Sequence, residues 1–210
     1  SGIIAEFKRK SPSKGDINAS ANIGQVTQGY RLAGASGLSV LTDKRFFGGE
    51  NDDVTKTRRL NRFPVLRKDF IIDKYQITEA KAIGASVILL IAAVLSQKEI
   101  QDLTEYAKTL NLEVLLEIHS KDEIRKISPL VDLVGVNNRN LSNFTVNIEQ
   151  SIELSDLIQP EFVKISESGI SKPEDVILLK KYGYKGFLIG ENFMRQIGRA
   201  SCRERVCHRV

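Results

Sequence analysis

Short unbroken apolar runs alternate along this chain with longer stretches in which apolar residues recur at helical spacing. The runs are residues 3–5, 38–42, 65–68, 87–91, 114–117, 133–137, 163–167 and 186–190, eight in all. Runs so short and so rich in Val, Ile and Leu suit strands buried on both faces, the condition of strands in a parallel sheet. Between them lie sets such as Ile100, Leu103, Ala107 and Leu110, or Val176, Leu179 and Tyr182, spaced to share one face of a helix. Gly34, Gly84 and Gly183 each follow a helical stretch and precede the next strand, where a left-handed cap can end a helix. Eight such units predict an α/β protein folded as a (β/α)8 TIM barrel. A doubly wound open sheet is the alternative, but it has fewer strands and a glycine-rich first turn that is missing here.

Composition narrows the picture without changing it. With 210 residues and 41% hydrophobic content, the chain suits one domain with a sizeable core. The longest nearly continuous apolar stretch, residues 85–95, is too short for a membrane span, and the N-terminus has no basic and apolar pattern of a signal peptide. A soluble, cytoplasmic protein is expected. The net charge of +5 would hint at an acidic partner, yet five arginines and one glutamate fall at or after Arg195 and carry most of it. The near-neutral body argues against a nucleic-acid face. Residues 195–210 also change composition abruptly and lack helical period, which sets them apart from a domain over residues 1–194 as a basic tail, expected to be an assembly scar. Cys202, Cys207 and His208 in that tail fall one ligand short of a structural zinc set, so no metal site is expected.

Charged and polar residues close the apolar runs, where packing alone does not explain them. The first strand leads into Glu6 and Lys8, the third ends at Lys68, the fifth at Glu117, the sixth at Asn137 before Arg139, and the last two at Glu167-Ser168-Gly169 and Gly190-Glu191. In a barrel of this type the C-terminal strand ends form one rim, and that rim carries the active site. Lys68 and Glu117 look like an acid and a base. Short glycine-containing turns leaving strands seven and eight suit a phosphate, because bare backbone N–H groups and a helix N-terminus can point at the anion. Each reading has a plainer rival. A strand-end lysine can be a solvated surface group, Glu6 and Lys8 can form a rim salt bridge, and Asn137 can bond a neighbouring loop backbone. His119 reads as a loop or helix-start residue, and Phe46 as a loop anchor.

The stretches Ile3-Ile4-Ala5-Glu6-Phe7-Lys8-Arg9-Lys10-Ser11-Pro12-Ser13-Lys14-Gly15, Leu41-Thr42-Asp43 with Phe46-Phe47-Gly48-Gly49, and Pro64-Val65-Leu66-Arg67-Lys68-Asp69-Phe70 occur in that order. Together with Gly135-Val136-Asn137-Asn138-Arg139 and Ser166-Glu167-Ser168-Gly169-Ile170, they resemble the indole-3-glycerol phosphate synthase family from about Gly2 to Met194. The resemblance implies closure of the indole pyrrole ring in tryptophan biosynthesis, with loss of carbon dioxide and water and without a metal or organic cofactor. It implies catalytic roles for Lys68 as general acid, Glu117 as general base and Lys8 as an anion contact, with Glu6 and Asn137 holding the charged groups. It also implies substrate contacts from Ser11, Phe47, Phe70, Leu89, Arg139, Glu167, Ser168, Gly169, Gly190 and Glu191, the last through its backbone N–H. A small phosphorylated substrate is the expected partner, with association with other tryptophan-pathway enzymes a further possibility; neither nucleic acid nor membrane is expected. Family members carry an N-terminal extension and a final sealing helix. The barrel is therefore expected to be incomplete at both places. Alternatives are another phosphosugar barrel enzyme, such as a phosphoribosylanthranilate isomerase-like catalyst, or an inert phosphate-binding fragment.

Overall fold

A computed structural model describes residues 1–197. Eight parallel strands close into a barrel: β1 Ile3–Phe7, β2 Gly37–Leu41, β3 Val65–Lys68, β4 Val87–Ile91, β5 Glu113–Ile118, β6 Leu133–Asn137, β7 Val163–Glu167 and β8 Tyr184–Ile189. Neighbours in sequence are neighbours in the sheet, and β8 closes the ring on β1, with Ile3 beside Phe187 and Ala5 beside Ile189. The predicted (β/α)8 barrel is present, with all eight expected runs as strands.

The period of two along each strand sorts its side chains. Leu66, Leu89, Leu115, Ile165 and Leu188 gather in one buried cluster, while the intervening Ile88, Leu90, Val114, Leu116, Val134 and Val136 belong to a larger cluster between sheet and helices. Such alternation is what a closed, filled barrel demands. Continued to the strand ends, the parity that takes Leu66, Leu115 and Ile165 inward also takes Lys68, Glu117 and Glu167 inward.

The helices are α1 Ile23–Leu32, α2 Lys44–Phe47, α3 Asn51–Leu60, α4 Lys74–Ala82, α5 Gln97–Thr109, α6 Glu149–Ser155, α7 Pro173–Lys181 and α8 Glu191–Gln196. Ile100, Leu103 and Ala107 of α5 are buried as their spacing predicts. Tyr182 is not: it lies past the last turn of α7 and is partly exposed. Gly34, Gly84 and Gly183 all take positive φ, at 84°, 94° and 81°, as helix-ending glycines do. Between β5 and β6 the crossover has shrunk to a 3-10 turn, Lys121–Lys126, where a full helix would be usual. An antiparallel ribbon of two-residue strands at Lys10–Ser11 and Gly15–Asp16 has no hydrophobic signature and was not foreseen. The expected gap at the last helix falls partly on α8 and otherwise, like the tail's two cysteines and His208, outside the described residues. No described helix is long and apolar enough to cross a membrane.

Candidate active site

A cavity of about 780 Å³ opens at the C-terminal rim of the barrel. Its floor is Lys68, delivered by β3. The Nζ of Lys68 lies 2.7 Å from Glu167 Oε2, 3.4 Å from Glu6 Oε2 and 3.9 Å from Glu117 Oε2. Three carboxylates from three other strands thus surround one ammonium. Lys8 donates to Glu6 Oε1 at 2.6 Å, and Asn137 donates to Glu117 Oε1 at 3.0 Å. Glu6, Glu117 and Glu167 are all buried.

Burial works against charge on each of these groups, and their mutual attraction decides the outcome. For Lys68, desolvation is outweighed by Glu167, Glu6 and Glu117 together, and its pKa rises. Glu6 loses to burial but gains more from Lys8 and Lys68, so its pKa falls. Glu117 also falls: burial is overcome by His119, Lys68 and Asn137. Glu167 moves the other way. Burial dominates there, and the neighbouring carboxylates Glu117 and Glu6 oppose the pull of Lys68. The cage therefore holds a cationic lysine at neutral pH among carboxylates of unequal proton affinity.

Beside this cage lies a concavity of backbone. Ser168 and Gly169, just past β7, both take positive φ, 64° and 78°, and both line the cavity. A side chain at Gly169 would strike Val146. Gly190 is the N-cap of α8, and a Cβ there would stand 2.5 Å from Glu6 Oε1. Arg139 donates to Ser13 Oγ at 3.2 Å and approaches Glu191 Oε2 at 3.5 Å, while Arg195 takes Glu191 Oε1 at 3.0 Å. The Glu191 carboxylate is thereby held by two arginines.

Opposite the cradle the wall is apolar. Phe46 and Phe47 each lie against Phe70, with ring centroids 6.2 and 6.5 Å apart, and Leu89 lines the deeper wall. All the residues predicted for the site border the cavity except Glu167, which stands behind Lys68 and grips it. Phe46, predicted as a loop anchor, borders the cavity too. So do Val94, Phe144 and Val146, loop residues whose place depends on how the loops fold over the rim; their sequence carries no signal of it.

His119 lies in the loop just past β5, as expected, but it is turned into the protein. Its ring is buried against Glu117, with Nε2 at 3.2 Å from Oε1. A signal was present, since Leu115, Glu117 and His119 share the parity of an inward-facing strand.

A (β/α)8 barrel with a cluster of buried charged groups at its strand ends, bare glycine turns and an aromatic wall has the features of an enzyme site. The family model for indole-3-glycerol phosphate synthase matches residues 1–204. This chain belongs to that family, whose members are carboxy-lyases of tryptophan biosynthesis acting on a small phosphorylated substrate. The match continues past Met194 into the basic tail. The indole-3-glycerol phosphate synthase of Bacteroides thetaiotaomicron is 52% identical over 195 residues, 93% of this chain and 75% of the relative. That of Acinetobacter baylyi is 43% identical over 197 residues, again 93% of this chain and 74% of the relative. Among solved structures, the tryptophan synthase complex from Pyrococcus furiosus matches in fold with a TM-score of 0.69 at 15% identity, covering 97% of this chain and 93% of that one.

Proposed function

We propose that the residues of the cage divide the ring-closing reaction of this family among themselves as follows. The substrate, 1-(2-carboxyphenylamino)-1-deoxyribulose 5-phosphate, seats its phosphate on the backbone of Ser168, Gly169, Gly190 and Glu191 and its aromatic ring against Phe47, Phe70 and Leu89. Ser11 and Arg139 supply further polar contacts. Lys8 meets the substrate carboxylate.

Lys68 donates a proton to the ketone oxygen as the aromatic carbon attacks the carbonyl carbon. The new ring carries positive charge, which accepts the electron pair of the breaking carboxyl bond, and carbon dioxide leaves. Once Lys68 has regained a proton from solvent, the remaining hydroxyl departs as water with that proton, while Glu117 takes the proton that the ring must lose. Glu6 and Glu167 fix the lysines, and Asn137 fixes Glu117. The step asks of the protein only proton transfer and charge placement.

The observation that carries this reading is Lys68 Nζ on the cavity floor within 4 Å of three carboxylates. A cationic donor so placed can protonate an oxygen and stabilise its developing charge together. The test is to incubate the protein with the substrate and follow indole fluorescence. A protein-dependent rise that disappears in Lys68→Met supports the assignment, and an undiminished rise in that variant overturns it. We propose also that the reaction runs in the cytoplasm, in association with other enzymes of the pathway.

A further inference from the structure

Beyond Glu117 the charged chain continues outward from the cavity. His119 follows one residue past β5, its side chain only 11% exposed. Its Nε2 faces Glu117 Oε1 at 3.2 Å and its Nδ1 faces Glu123 Oε2 at 3.8 Å. Both ring nitrogens thus look at carboxylate oxygens, which only accept hydrogen bonds. Neither contact has hydrogen-bond geometry, so the pairing is one of charge: two carboxylates facing the ring favour the imidazolium over the neutral form.

The surroundings fix the backbone that carries this ring. Glu123, in the 3-10 turn Lys121–Lys126, accepts the His119 backbone N–H at 2.6 Å. Gln150 of α6 donates to the His119 carbonyl at 2.5 Å and to the Asn137 carbonyl at 3.0 Å. Lys126, from the same turn as Glu123, points its ammonium at the carbonyls of Ala92 and Leu95 and contributes charge there. Lys68 lies on the far side of Glu117. Three buried carboxylates, Glu6, Glu117 and Glu167, otherwise stand against two lysines in the cage.

We propose that His119, as an imidazolium between Glu117 and Glu123, is a positioning residue for the general base. With Asn137 it ties down Glu117 Oε1 and leaves Oε2, the oxygen nearer Lys68, to meet the substrate. It also supplies the positive charge that keeps Glu117 ionised next to two other carboxylates. The 3-10 turn that stands in place of a helix after β5 brings Glu123 within 3.8 Å of the ring. This inference rests on the role given to Glu117 above.

Two measurements test it. The chain has two histidines, His119 and His208, so ring-nitrogen NMR of the protein and of His208→Ala assigns the His119 signal. A ring still doubly protonated at pH 8 is the expected result, with Glu123→Gln lowering its titration midpoint. A neutral ring at pH 7 overturns the proposal, whatever Glu117 does in catalysis.

The second measurement is the pH profile of turnover in His119→Asn, with folding checked by circular dichroism. Loss of the adjacent cation raises the proton affinity of Glu117, so the acid limb of kcat moves up by about one pH unit. At a pH on that limb kcat falls about tenfold and recovers at higher pH, while KM changes less than about twofold. An unmoved acid limb in folded protein, or a loss confined to KM, overturns it. Should Glu117→Gln retain full activity while the ring is doubly protonated, the assignment of the base fails and the imidazolium stands.

Discussion

A lysine ammonium taken out of water alone would be costly, and so would each of three glutamates. The cage resolves this by placing them together, with Lys68 Nζ between Glu167, Glu6 and Glu117. Removing the cation leaves three carboxylates facing each other, which is a chemical as well as a structural loss. Lys68→Met should reduce kcat by at least about 100-fold, the low end for loss of a general acid, as read by indole fluorescence. Lys68 and Glu117 were legible in the sequence because a charge closing an apolar strand is hard to explain by packing. Glu167 was legible as a site residue, but its position behind the lysine was not. That depended on β7 standing across the barrel from β3, a relation no local spacing contains. His119 was passed over because its partners, Glu117 and Glu123, are assembled by a strand end and an irregular turn.

Some residues that set the borders of elements can be tested without touching the chemistry, and others cannot. Helix α5 begins with a capping box: Ser96 Oγ accepts the Glu99 N–H at 3.3 Å, and the Glu99 carboxylate accepts the Ser96 N–H at 2.7 Å. Ser96→Ala should lower unfolding free energy by about 1 kcal/mol, measured by urea denaturation, and leave turnover unchanged. The N-terminus of α8 is more tightly constrained. Gly190 packs so closely on Glu6 that a Cβ would stand 2.5 Å from its Oε1 and 2.9 Å from its Cβ. Gly190→Ala must displace Glu6, which holds both lysines, or shift the cradle. Its kcat/KM should fall at least about tenfold, since small displacements of a catalytic group are expensive, and steady-state kinetics reads this directly. The eight strands and the apolar face of α5 were written in period and spacing. The ribbon at residues 10–16 and the 3-10 turn were not, because both are held by contacts with other loops rather than by a hydrophobic stripe of their own.

For the whole molecule, the buried charges couple stability to pH. His119 is raised from 6.5 to about 9: burial lowers it, and Glu117 and Glu123 more than reverse that. A raised histidine contributes its full stabilisation below its unfolded pKa and loses it as pH climbs through the folded value. Between about pH 6.5 and 9 the protein should therefore lose up to about 3 kcal/mol from this group. Comparing the melting temperatures of the protein and His119→Asn at pH 6 and pH 10 isolates the effect: their difference should shrink at the higher pH.

The sequence by itself determined the barrel and the family, because strand count, parity and strand-end motifs are local properties, each readable within a few residues. Only the tertiary structure decided who holds whom. Closure of β8 on β1 sets Gly190 against Glu6, and the curvature of the ring brings Glu167 across to Lys68. The shortened fifth crossover sets Glu123 behind His119. These are contacts between residues far apart in the chain or on irregular turns, fixed by the geometry of a closed sheet.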